Sequence, residues 1–210
     1  MKAPFLCLVL AALPALGEHQ DTALAPIALY TQFQHPPPAV IADALKAEVD
    51  SIMRPSGLRF TWRELPAARG SEVSVELAVI TFRGRCDAAG LSPHGSNPGL
   101  LGWTHISDGV ILPFAEIDCE SIRDFIQRRL LRMPVESHEA AFGRALGRVV
   151  AHELYHIFAN TVRHSACGVG KPKFSIEELL SPEFRFGAQE SFALKSGKAY
   201  SALAWAAFRR

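Results

Sequence analysis

Apolar residues along the chain recur with two different periods, and each change of period marks an element boundary. Residues 25–33 (APIALYTQF) are rich in β-branched and aromatic side chains and predict a first strand that stops at Pro36-Pro37-Pro38. Pro38 can open a helix at its first position. Ile41, Leu45, Val49 and Ile52 then recur at helical spacing, and Gly57 ends the run. Residues 58–65 (LRFTWREL) alternate as a strand, and 73–82 (VSVELAVITF) form a longer, more apolar one. Residues 84–100 collect Gly, Pro, Ser and Asn and predict a loop. Segments 102–106 and 110–117 flank Ser107-Asp108-Gly109, a hairpin-turn signal.

From about Ser137 the pattern becomes a long helix, with Phe142, Leu146, Val150 and Ile157 on one stripe. Asn160 suits a left-handed cap, a conformation that Asn tolerates better than most residues. Beyond it the chain is irregular, with a short helix predicted over 175–180 and a last helix over 198–208. This order predicts an α+β fold: a twisted mixed sheet backed by helices, ending in the long helix. The predicted organisation is an N-terminal lobe over 18–160 and a small C-terminal lobe over 161–210.

Residues 1–17 read as a secretory signal peptide. Lys2 gives a positive start, residues 5–16 an apolar run, and Ala15-Leu16-Gly17 a small-x-small cleavage site. The run is shorter than the roughly 20 residues of a membrane span, and no later stretch is long and apolar enough. Secreted or periplasmic protein, with no membrane association after cleavage, is the expectation. An oxidising compartment preserves disulfides. Cys86, Cys119 and Cys167 remain after cleavage, and the expected pair is Cys86 with Cys119, each at the end of a strand-like segment.

The 210 residues carry 22 Lys plus Arg against 21 Asp plus Glu. This balance argues against a nucleic-acid module, which carries a basic excess on one face. The length suffices for one sizeable core, and a monomer is expected.

The candidate chemistry lies in His152-Glu153-Leu154-Tyr155-His156, on the long helix. Residues four apart share a helix face, with Cβ atoms about 5–6 Å apart. Two imidazoles so placed reach one metal ion. Glu153 is placed to reach a water that the metal activates rather than the metal itself. Between Val149 and Phe158 it is the only acidic or basic residue besides the histidines. A catalytic zinc site needs a third protein ligand and an open position. His164, eight residues after His156, is the preferred third ligand; Glu177, Glu178 and Cys167 are the alternatives.

These residues resemble the zincin metallopeptidases and, within them, the metzincins, whose motif is H-E-x-x-H-x-x-G-x-x-H followed by a methionine-containing turn. His152, Glu153 and His156 match that motif. Ala159 stands at its glycine and Val162 at its third histidine, while His164 comes two residues later. No methionine follows the site, so residues 174–180 are the candidate apolar turn beneath it. The resemblance implies a zincin-like fold, Zn2+ held by His152, His156 and His164, and Glu153 as the base. It also implies that the segment Leu101-Gly102-Trp103-Thr104-His105 is an edge strand able to bind extended peptide. His105 is a candidate substrate contact, and Tyr155 is read as a packing residue.

The sequence therefore predicts a zinc-dependent endopeptidase acting on a peptide or protein substrate. Two rivals stand beside it. One is a non-catalytic extracytoplasmic binding protein of the same fold. The other is a zinc amidase acting on non-protein material such as cell wall. The intact Glu153 favours an enzyme.

Overall fold

The computed structural model describes residues 25–70, 73–93, 99–197 and 199–201. The signal segment over 1–17 lies outside them, as does the helix predicted over 198–208 apart from helical residues 199–201. The fold is mixed α and β. Five strands form one sheet: β1 (Ala25–His35), β2 (Thr61–Glu64), β3 (Ser74–Arg85), β4 (Gly102–Ser107) and β5 (Val110–Asp118), in the order β2-β1-β3-β5-β4. All neighbours run parallel except β4, which pairs antiparallel with β5 and forms one edge. Asp108 and Gly109 both have positive φ at the β4–β5 turn, the backbone that an Asp-Gly hairpin requires.

Helices cover one face of this sheet. Ile27, Leu29, Ile80, Phe82, Ala115 and Ile117 meet the buried stripes of α1 (Ala39–Met53) and α3 (His138–Ala159) in a single core. α3 packs against α1 at very short range, and two glycines allow it. A Cβ on Gly143 would stand 2.6 Å from the Ile41 carbonyl oxygen, and one on Gly147 would stand 2.8 Å from that of Leu45. Asn160 caps α3 at φ +48°, as its tolerance of that region predicts. The opposite sheet face carries a smaller cluster of Ala28, Tyr30 and Val79.

Two helices escape the sequence pattern. α2 (Cys119–Leu130) stands where no element is predicted, although Asp118 caps it and Ile122, Ile126 and Leu130 recur every fourth residue. Its charged remainder conceals that narrow stripe. α5 (Ala188–Lys195) follows α4 (Ile176–Leu180) and is too short and too weakly amphipathic to announce itself. Val169, Leu179 and Leu194, from the segment after Asn160, join the same core as the sheet and α3.

The Cys86–Cys119 disulfide forms as expected, and Cys167 is free and exposed. The reason lies in the sheet. β3 and β5 are parallel neighbours with Arg83 opposite Asp118, so the residues that follow them leave the sheet side by side. No helix among the described residues is long and apolar enough to cross a membrane.

A guanidinium lies within this core. Arg148 is fully buried, one turn before His152. Its Nε donates to Glu48 Oε1 on α1 at 2.7 Å, and its terminal nitrogens donate to the carbonyl oxygens of Glu178 and Ser181 at 2.6 and 2.8 Å. It thereby ties α1, α3 and the segment after α4 together. Replacing it with Met leaves Glu48 as an uncompensated buried charge, so R148M should lose about 3–5 kcal/mol of stability. The double variant E48M/R148M should recover part of that loss, because the stranded carboxylate is gone. Urea denaturation of the three proteins checks both expectations, and a double variant less stable than R148M contradicts the reasoning.

Candidate metal centre

The last turns of α3 bury His152, Glu153 and His156 beside the loop that follows Asn160. The imidazoles of His152 and His156 are fixed from behind. His152 Nδ1 lies 2.7 Å from the Val169 carbonyl oxygen, and His156 Nδ1 lies 2.7 Å from that of Thr161. A carbonyl only accepts, so each Nδ1 carries the proton and each Nε2 presents a lone pair. The two Nε2 atoms face each other at 3.1 Å.

Burial lowers the pKa of both rings, that of His152 to about 4, against the pull of their carbonyl partners. Both are therefore neutral near pH 7, and no proton sits between the facing lone pairs. A cation resolves that contact. Two nitrogens bound to one tetrahedral zinc at about 2.0–2.1 Å stand about 3.3 Å apart, close to the observed separation.

His164 joins them from the exposed loop, where the sequence reading expects the third ligand. Its ring stacks on His152 at 5.2 Å and meets His156 at 4.8 Å between centroids. One ring nitrogen from each of the three histidines lies within 4.8 Å of the others, so the group can hold a metal ion. The alternative ligands lie elsewhere. Glu177 is exposed, and Glu178 is engaged by Lys171 and by the capping box with Ser175 that opens α4. Cys167 is exposed and is not part of the histidine group.

Glu153 is almost wholly buried. Thr104 Oγ1, from the edge strand β4, donates to Glu153 Oε2 at 2.7 Å. Burial raises the Glu153 pKa to about 7, and the hydrogen bonds from Thr104 offset only part of the rise. The carboxyl is thus poised to take up and release a proton near neutrality.

Aromatic side chains line the rest. Phe174 sets its ring edge-to-face on His152 at 5.3 Å and packs in turn on Phe184, which lies under the Arg148 guanidinium. Of the apolar turn expected over 174–180, Phe174 lies against His152, while 176–180 form α4. Tyr155 packs between His156 and Phe186, as expected. His105 does not join the group: its Nε2 lies 3.0 Å from Glu116 Oε1, and Glu116 is also engaged by Arg83. Sequence reasoning missed Thr104, Arg148 and the Val169 carbonyl. Only the spacing of Arg148, four residues before His152, offers a local signal for any of them. No family model and no curated protein matches this chain.

The Glu153 carboxyl makes a sign-definite contribution to stability. Its folded pKa of about 7 lies above its ordinary value of 4.5, so the folded state binds the extra proton between those limits. The contribution is present below pH 4.5 and is lost as pH rises through 7. E153Q, which never ionises, should therefore make the metal-free protein more stable than the parent at pH 8, by roughly 3 kcal/mol. That gain should shrink towards zero at pH 4.5. Urea midpoints of chelator-treated parent and variant across this range provide the check, and a gap that does not change with pH contradicts the assignment.

Proposed function

We propose that this chain is a zinc-dependent endopeptidase with a zincin-like fold, working outside the cytoplasm. Support for the metal comes from three histidines, two of them locked by carbonyl oxygens so that their lone pairs converge. A donor set of three histidine nitrogens suits catalytic zinc. The disulfide is compatible with an extracytoplasmic location.

The observation that carries the reading is the Thr104–Glu153 hydrogen bond. It joins the proton-handling carboxyl to β4, the antiparallel edge of the sheet. An edge strand takes an extended peptide by strand addition, so a substrate laid on β4 has its backbone beside Glu153. When bound, zinc supplies a Lewis acid for the scissile carbonyl and lowers the pKa of water towards about 7. Glu153 takes a proton from the attacking water and passes it to the departing amine, two tasks suited to its pKa near neutrality. Thr104 holds the carboxyl in place for both transfers. His152, His156 and His164 hold the ion, and the Val169 and Thr161 carbonyls keep His152 and His156 in the ligating tautomer.

The proposal predicts three distinct variant behaviours. Purified protein should hold about one zinc per chain. E153Q should keep the zinc and lose activity by a factor on the order of 10²–10⁴. H164A should lose both zinc and activity, and E177A should keep both. Metal analysis and a broad peptide-library digest of the same four proteins decide the matter. A parent that holds zinc and cleaves no peptide would falsify the endopeptidase reading in favour of the amidase or binding-protein alternatives.

A further inference from the structure

Glu190 lies in the first turn of α5 and is 1% exposed. Its Oε1 has no hydrogen-bond partner among the described residues. A buried acceptor in that condition destabilises the arrangement that strands it. Its neighbours explain its position. A Cβ on Gly170 would stand 2.6 Å from Glu190 Oε1 and 2.8 Å from Ser165 Oγ, and a Cβ on Gly187 would stand 2.8 Å from Glu190 Oε2. The carboxyl fills a slot left open by glycine on both sides. Its stranded oxygen and the Ser165 hydroxyl border the same small space.

Both neighbours on the loop side adjoin the histidine centre. Ser165 follows His164, and Gly170 follows Val169, whose carbonyl fixes His152. Ser165 N donates to the Gly170 carbonyl oxygen at 2.9 Å and closes the loop on itself. The Ser165 hydroxyl donates to the Cys167 carbonyl oxygen at 2.8 Å and leaves Glu190 unserved. His164 is exposed, with its ligating nitrogen within 4.8 Å of the other two. Closing onto an ion requires about 3.3 Å between nitrogens.

The geometry points to Glu190 as a positioning residue that accepts the Ser165 hydroxyl when His164 moves onto the metal. The role rests on the metal-centre reading. The stranded oxygen is the acceptor that the Ser165 hydroxyl would meet as His164 approaches the ion. Glu190 therefore biases His164 towards the ion without touching it.

The test uses the full protein with zinc alone, read by competition against a chelator, and with Co2+ alone, read by its visible absorption. E190A and S165A should each weaken zinc binding on the order of 10–100-fold and alter the Co2+ spectrum. E190Q keeps an accepting amide oxygen and should retain the parent's affinity and spectrum. In an H164A background, E190A and S165A should cost nothing further, because the effect runs through His164. S165A removes no buried side chain and carries the test if E190A does not fold. A parent that binds zinc while S165A matches it overturns the role of Glu190 alone, as does an S165A or E190A loss that persists undiminished in H164A. A parent that binds no zinc overturns the metal centre and this role together.

Discussion

Two carbonyl oxygens determine what α3 can do. An i, i+4 pair of histidines on a helix is chemically ambiguous, because each ring can carry its proton on either nitrogen. The carbonyls of Thr161 and Val169 remove that ambiguity by accepting from the two Nδ1 atoms. Both acceptors belong to the irregular segment after Asn160, so the chain that leaves the helix sets the tautomers of the helix it has just left. Without that return path the histidines would be free to turn an N–H towards each other, and the pair would be satisfied without an ion.

Beyond that return path, a charge in an apolar interior fixes the chain around α4. Arg148 reaches α1 through Glu48, and α4 and the residue after it through the carbonyl oxygens of Glu178 and Ser181. It lies over Phe184, which supports Phe174, which supports His152. A buried ion pair is seldom the most stabilising choice at such a position. Its use here trades stability for a defined placement of three separate chain segments around one imidazole. The short approach of α1 at Gly143 and Gly147 serves the same end, since it holds the helix that carries the histidines against its neighbour.

The sequence revealed most where a signal was local. Ser107-Asp108-Gly109, the Asn160 cap, the stripe of α3 and the i, i+4 histidines all declare themselves within a few residues. The Cys86–Cys119 pairing was readable because both cysteines end strands. α2 went unseen because its stripe of Ile122, Ile126 and Leu130 is diluted by arginines and acids. Thr104 and Glu153 lie 49 residues apart, and Arg148 and Glu48 lie 100 apart. Such contacts depend on strand order and helix packing, which no local pattern encodes. The third histidine sat between these cases. His164 was readable as a candidate, and its place beside His152 and His156, in a group that could hold a metal ion, became visible only in three dimensions.

The left-handed residue at Asn160 has a consequence for how such sites vary between proteins. It ends the helix abruptly, so everything that follows is surface loop until Val169 re-enters the core. Insertions in a surface loop are tolerated well, since doubling a loop's length costs only about 0.6 kcal/mol in closure entropy. The interval between the second and third histidines is therefore elastic, whereas the interval between the first two is fixed by the helical pitch. A site of this build can therefore take its third histidine at a variable distance along the chain while its first two keep the helical spacing.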